Sequence, residues 1–350
     1  MKTIKDINIK DKTILVRVDY NVPLKDGQVT SDLRIRASLP TIEFLREHGA
    51  KKIILISHLG RPEGKDESLS LKPVAEALKN LLPNVTFIDN VSGPDVENAA
   101  NNLDNGNILL LENLRFFPGE EANSEDFINE IVDSVGADLY VQDGFAVIHR
   151  AHASTDAIKH RLPVYAGLLL EKEVSNLTAA IENPAHPVLL IIGGAKVDDK
   201  QPLIDKFLNI ADHIVVGGKI AADGYKSTSD KIYVAEDFDE NAEGKKLDIG
   251  PVSTAKITNF IKEAKTIIWN GLQGYAEDPA YATASTITAT AIGEKEDATT
   301  IICGGDTSGF VENLMDTHDN LHYSLVSTGG GASLELLLGK ELPGIAAIRS

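Results

Sequence analysis

Basic side chains recur just past short apolar runs in the first half of this chain. Arg17 and Asp19 lie in RVDYNVP (17–23), Arg34 in DLRIRA (32–37), His58 and Arg61 in SHLGRP (57–62), and Arg115 in ENLRF (112–116). Arg150 lies in HRAH (149–152), between His149 and His152. Arginine presents a planar fork that meets carboxylate and phosphate oxygens in pairs. Any one of these residues alone reads as a solvated or salt-bridged arginine. The set, placed after successive strands, reads as a basic pocket for a small, multiply charged anion.

The second half carries a different chemistry. GGAKVDDK (193–200) sets Lys196 and Lys200 four residues apart at a helix start, on one side of it. GGDT (304–307) offers backbone donors, a carboxylate suited to Mg²⁺ or its water shell, and a hydroxyl. TGGGAS (328–333) opens a helix whose N–H groups suit a phosphoryl group. A single glycine-rich turn is weak evidence, since tight turns use glycine for geometry alone. Several at one sheet edge, with Lys and Asp beside them, point to nucleotide phosphates. The spacing is not that of a Walker A loop.

These residues need a scaffold that gathers loop ends at one edge. Strand-like runs at Thr13–Val18, Lys52–Ser57, Val85–Ile88, Ile108–Leu111 and Leu139–Gln142 alternate with amphipathic stretches at Ala37–His48, Leu71–Leu82 and Ser124–Val135. The second half repeats this with Val188–Ile192, His213–Val216, Thr266–Trp269, Thr299–Ile302 and Tyr323–Ser327. Continuous Val/Ile/Leu runs alternating with helices imply βαβ units and a mostly parallel sheet, with ligands at the carboxyl edge. Leu168–Glu182 predicts a long helix ended by Asn183-Pro184, joining two α/β lobes. The stretch Tyr225–Gly250 is polar and acidic and carries no assignment. One lobe for a small anion and one for a nucleotide suits phosphoryl transfer, with lobe closure excluding water.

Bulk properties bound the alternatives. With 350 residues, 43% hydrophobic and 25% charged, the chain is long enough for two globular domains. Its net charge of −18 argues against a nucleic-acid surface, though a local basic cleft can oppose the global sign. A single cysteine, Cys303, excludes internal disulfides and reads as buried and structural. No run reaches the length of a membrane span and the N-terminus has no signal-like apolar region, so a cytoplasmic protein is expected. Trp269 reads as core, and Glu277, by itself, as solvated. His149 and His152 lack a third ligand for a metal. A GxGxxG turn after the first strand, which a dinucleotide-dependent dehydrogenase would carry, is absent.

RVDYNVP, DLRIRASLPTI, SHLGRP, ENLRF, HRAH, GGAKVDDK, WNG, GGDT and STGGGASLELLLGKELPG, in this order, resemble the signature stretches of the phosphoglycerate kinase family over nearly the whole chain. The resemblance implies an α/β fold of two Rossmann-like parallel-sheet domains joined by a helix. Residues 1–167 would form a 3-phosphoglycerate domain, 168–183 the joining helix and 184–333 a nucleotide domain, with 334–350 packing back on the first. It implies reversible phosphoryl transfer between 1,3-bisphosphoglycerate and ADP, giving 3-phosphoglycerate and ATP, with Mg²⁺ carried by the nucleotide, in a monomer.

Carried over by motif, Asp19, Tyr20, Asn21, Arg34, His58, Leu59, Gly60, Arg61, Arg115 and Arg150 would hold 3-phosphoglycerate. Arg34, Lys196, Gly329 and Gly330 would act on the moving phosphoryl group. Lys196, Lys200, Gly217, Gly218, Asn270, Glu277, Gly304, Gly305, Asp306 and Thr307 would hold the nucleotide, Glu277 at the ribose and Asp306 at Mg²⁺. The chain departs from the family pattern in a shortened segment between 219 and 247, in WNGLQGYAE (269–277), in CGGDT (303–307) and in QDGFAVIHR (142–150). The phosphate-handling residues are kept and the purine-handling and hinge surroundings are altered, which implies an active kinase with weak or relaxed base selectivity. The alternative is a degenerate member that binds ligands with little turnover; the full set of arginines and both lysines count against it.

Overall fold

The computed structural model describes residues 1–349. They divide into two compact units: Met1–Lys172 with the C-terminal segment from Glu341, and Glu173–Lys340. The division falls inside the helix Leu168–Glu182. Residues 334–340, expected to pack with the first domain, belong to the second unit; only the segment from Glu341 joins the first.

The first unit is built on six parallel strands: β1 (Thr13–Arg17), β2 (Lys52–Ile56), β3 (Val85–Phe87), β4 (Ile108–Leu110), β5 (Leu139–Gln142) and β6 (Val164–Ala166). Their order is β3-β4-β2-β1-β5-β6. Every residue of β1 is buried, as a central strand covered on both faces requires. Arg17 pairs in register with Ile56 on one side and Gln142 on the other. Three neighbouring strands therefore end at one level, and the loops opening with Val18, Ser57 and Asp143 leave from the same edge.

The helix expected over Ala37–His48 begins earlier, at Leu33, and ends at Glu47. Its first turn lacks an apolar period and is held instead by an i,i+4 pair: Arg36 Nε donates to Asp32 at 2.9 Å. That extra turn places Arg34 on a rigid element rather than in a loop. β6 is a three-residue edge strand bridged by Thr3, too short to carry a pattern. Near the C-terminus, Gly344 N donates to Ile148 O at 2.9 Å, and a side chain at 344 would meet Ile148 Cβ at 2.8 Å. Glycine is thus what lets the last helix, Pro343–Arg349, lie against the loop after β5.

The second unit also has six parallel strands: β7 (Val188–Ile192), β8 (His213–Val216), β9 (Ile232–Val234), β10 (Thr266–Asn270), β11 (Thr299–Cys303) and β12 (Leu325–Val326). Their order, β9-β8-β7-β10-β11-β12, is that of a doubly wound sheet, with its topological switch point between β7 and β10. Ile192, Asn270 and Cys303 lie in register at the carboxyl edge. Trp269 and Cys303 are fully buried, and burial pushes the Cys303 thiol up to about 12. The unassigned stretch contains β9 and an antiparallel ribbon, Phe238–Glu240 with Lys246–Ile249.

Candidate active site

In the first unit the loops after β1, β2 and β4 are tied together by buried amides and hydroxyls. Ser57 Oγ accepts from Tyr20 N at 2.8 Å, and Asn21 Oδ1 accepts from Gly60 N at 2.9 Å. Asn113 is fully buried; its Oδ1 accepts from the backbone N–H groups of Leu59 and Arg115, and its Nδ2 donates to Leu59 O at 2.7 Å. Glu112, also buried, accepts from Ser70 Oγ and Leu71 N. These two carboxyl-edge residues were not singled out from sequence. Their signal lies in the ENLRF stretch itself, where two polar residues interrupt an apolar run.

On this scaffold cations converge. Arg34 pairs with the buried Asp19. Arg115 donates to Gly60 O at 2.7 Å and forms an ion pair with Glu121 at 3.1 Å. Arg17 Nη2 lies 3.2 Å from His58 Nδ1. Arg61, which is exposed, and Arg150, which is half-buried, form no ion pair among the described residues. Burial drives the His58 pKa well below its ordinary value, and the charges of Arg17, Arg115 and Arg34 push it further in the same direction. His152 is lowered to about 4, first by burial and then by Arg115. Two neutral histidines among several permanent cations make a site whose field favours an anion and penalises any further positive charge.

Two expected residues contribute differently. Tyr20 is fully buried, its hydroxyl bonded to Ser38 Oγ at 2.9 Å, and Leu59 is 2% exposed. Their side chains belong to the core of the first unit.

In the second unit a cavity of about 690 Å³ opens at the switch point. Lys196, Lys200, Gly218, Asn270, Glu277, Gly304, Gly305, Asp306 and Thr307 all line it. Gly217 does not; it is packed under Gln273, whose Oε1 would lie 1.9 Å from a side chain there. The two central loops interlock tightly. A Cβ on Gly193 would lie 2.2 Å from Leu272 O, and one on Gly271, at φ +104°, would lie 2.2 Å from Gly193 O. Glycine at both positions lets the loops after β7 and β10 close to backbone contact.

Lys196 precedes the first turn of the helix Val197–Phe207 and is exposed, whereas Lys200 is half-buried and donates to Asn270 Oδ1. Burial lowers the Lys200 pKa, against the opposing pull of Asp199 and Asp306. Thr307 Oγ1 accepts from Gly271 N at 2.9 Å. Gly304, at φ +97°, turns the chain into the helix Gly305–Met315, with Asp306 exposed in its first turn. The helix Gly330–Leu337 starts beside it: a Cβ at Gly330 would lie 3.1 Å from Gly305 N. Two helix N-termini thus present their N–H groups close together, a setting that favours phosphate. Gly329 and Gly330 themselves do not line the cavity. Glu173 anchors this arrangement by accepting from Thr328 N and Thr328 Oγ1 at 2.7 and 2.9 Å.

The polar ribbon forms a wall that sequence reading missed. Phe238, Lys245, Lys246, Leu247 and Asp248 line the cavity, with Gln273 and Tyr275. Lys246 Nζ sits 4.3 Å above the Phe238 ring. Asp248 is buried, accepts from Ala284 N at 2.9 Å, and is raised by burial to about 6. Among the described residues no three His, Cys, Asp or Glu side chains cluster as a resident metal site. Asp306, the cavity carboxylate in the first turn of the helix Gly305–Met315, fits a Mg²⁺ that arrives with a nucleotide, since that ion is commonly held by one or two carboxylates, water and phosphate oxygens.

The chain is similar to known proteins over nearly its whole length. The family model described as phosphoglycerate kinase matches residues 4–232 and 221–340. Curated relatives include the phosphoglycerate kinase of Moorella thermoacetica, 41% identical over 393 aligned positions, spanning 99% of this chain and 98% of that one. The Lactiplantibacillus plantarum protein of the same name is 40% identical over 397 positions, with the same coverage. Among solved structures, the phosphoglycerate kinase of Pyrococcus horikoshii OT3 matches with a TM-score of 0.88 at 27% identity, covering 100% of this chain and 98% of that one. That of Coxiella burnetii matches with a TM-score of 0.80 at 31% identity, covering 99% and 98%. An alignment of 393 positions that spans 99% of a 350-residue chain leaves about 46 positions of the relative facing gaps. The two family matches meet between 221 and 232, within the segment that sequence reading marks as shortened.

Proposed function

The chain belongs to the phosphoglycerate kinase family, and from that premise we propose that it transfers a phosphoryl group reversibly between 1,3-bisphosphoglycerate and ADP, giving 3-phosphoglycerate and ATP. One observation carries this reading most directly. Each unit has an anion-binding edge of its own kind: a compact cluster of permanent cations in the first, and a 690 Å³ cavity beside two helix N-termini in the second.

In this proposal Asp19, Asn21, His58, Arg61, Arg115 and Arg150 hold the phosphoglycerate. Asp19 and Glu121 hold Arg34 and Arg115 in place until the ligand arrives. Lys200 and the N–H groups near Gly305 bind the nucleotide phosphates, with Asn270 fixing the Lys200 ammonium. Glu277, at the rim, takes the ribose. Mg²⁺ bound at Asp306 would neutralise phosphate charge. A nucleotide β-phosphate oxygen forms the new P–O bond as the bond to the acyl oxygen breaks, so no protein nucleophile is required. Arg34 and Lys196 stabilise charge on the transferring group, and the protein supplies positioning and positive potential. A monomer in the cytoplasm completes the proposal; no described helix is long and apolar enough to cross a membrane.

Arg34→Ala tests the assignment of roles. Turnover should fall by about two orders of magnitude or more while 3-phosphoglycerate affinity, measured by calorimetry, changes far less. An equal loss of affinity with unchanged turnover would assign Arg34 to ground-state binding only.

A further inference from the structure

Arg17 ends the central strand of the first unit and is 1% exposed. No carboxylate oxygen lies within ion-pairing distance of it among the described residues, and its Nε has no hydrogen-bond partner. Nη1 donates to Val18 O at 3.1 Å, and Nη2 lies 3.2 Å from His58 Nδ1. A buried, unpaired guanidinium is costly. Its placement therefore asks for an explanation in the site that it serves.

A guanidinium has only donors and stays protonated, so His58 Nδ1 must accept. The ring proton is then on Nε2, which has no hydrogen-bond partner among the described residues. An imidazolium would place a second proton on Nδ1, facing the Arg17 donor. It would also add charge where Arg17 from β1, Arg34 from its helix, Arg115 from the loop after β4 and His152 from the loop after β5 already converge. The one facing carboxylate is Asp19. It lies 3.9 Å from Nδ1, too far for a hydrogen bond, and is engaged by Arg34.

We infer that Arg17 is a positioning residue for the reaction: by donating to His58 Nδ1 it locks His58 as the neutral Nε2–H tautomer, a single oriented donor for an oxygen of the bound phosphoglycerate. This inference rests on the first unit being the phosphoglycerate site. The low His58 pKa agrees with it, burial being the largest cause and Arg17 the largest charge. Histidine kept neutral by a permanent neighbour presents the same donor across the physiological pH range, which an unperturbed imidazole would not.

Long-range ¹⁵N–¹H NMR of the ligand-free full chain tests the tautomer directly, with His58 assigned by its loss in His58→Gln. From pH 8 to 5.5 the account expects a neutral ring whose protonated nitrogen couples to both ring C–H protons, as Nε2 does. A proton on Nδ1, or titration near the ordinary 6.5, would overturn it. Arg17→Met, which removes the largest opposing charge and leaves burial, Arg115 and Arg34 in place, should raise the His58 pKa towards its ordinary value. Its KM for 3-phosphoglycerate relative to wild type should rise roughly tenfold at pH 8 and relax as the pH falls through the histidine range. A ratio that stays constant with pH would reduce Arg17 to a structural role. If Arg17→Met does not fold, the wild-type tautomer decides alone. If the tautomer is as expected but 3-phosphoglycerate shifts no His58 signal and supports no turnover, the substrate assignment fails and the Arg17–His58 lock stands.

Discussion

Asp143→Asn should make the first unit more stable relative to wild type as pH rises. Asp143 follows β5, is 1% exposed, and accepts from Leu169 N and Leu170 N at 3.0 and 3.3 Å with one oxygen, while Oδ2 has no partner. Burial raises its pKa from 3.8 to about 7, only partly offset by Thr41 and the two amides. The native state thus keeps a proton that the unfolded chain releases from about pH 4 upward. More protons bound in the native state means stability falls as pH rises, until the folded group also ionises near pH 7. At about 1.4 kcal/mol per pH unit, the change between pH 5.5 and 7.5 is roughly 2 kcal/mol. Asparagine keeps the acceptor for the helix start and does not titrate. It places an NH₂ where Oδ2 had no partner, a pH-independent cost of about 1–2 kcal/mol. Urea unfolding followed by far-UV circular dichroism at both pH values should therefore show the variant gaining roughly 2 kcal/mol on wild type at the higher pH. Trp269, the only tryptophan, lies in the second unit and gives an internal control by fluorescence. A stability difference that does not change with pH would refute the reasoning.

Lys200→Met should lower kcat/KM for ADP by about two to three orders of magnitude, read by steady-state kinetics, and leave 3-phosphoglycerate binding intact by calorimetry. Gly271→Ala should cost more than about 3 kcal/mol by Trp269 fluorescence in urea and abolish stabilisation by ADP, because its methyl would overlap the Gly193 carbonyl. GTP should support turnover within about tenfold of ATP, since the cavity wall is a short ribbon with exposed Lys245 and a neighbouring exposed Tyr275. Competition kinetics with both nucleotides would show it, and a strong ATP preference would reject it.

Ten of the twelve strands in the two sheets were legible because parallel strands buried on both faces are written as unbroken Val, Ile and Leu runs. Each ends in a glycine or polar turn at the carboxyl edge, so Arg17, His58, Lys200 and Asp306 could be assigned to that edge from the sequence. Leu168–Glu182 was equally clear, because a single amphipathic run ends at Asn183-Pro184. Other features were hidden for physical reasons. The early start of the Leu33 helix rests on the Asp32–Arg36 pair rather than on an apolar period. The ribbon of Phe238–Glu240 and Lys246–Ile249 is short and polar, so neither strand shows alternation. The inward direction of Tyr20 follows from a hydroxyl partner, Ser38, eighteen residues away. Asn113, Glu112 and the Arg17–His58 contact depend on loops from different strands meeting, which no local pattern records.

The most direct measurement of the central claim is a coupled assay. ATP, Mg²⁺ and 3-phosphoglycerate are supplied, and 1,3-bisphosphoglycerate is drawn off by a dehydrogenase while NADH loss is followed. The account predicts robust turnover that vanishes without 3-phosphoglycerate and collapses in Lys200→Met. A chain that binds both substrates by calorimetry yet gives no turnover would contradict it.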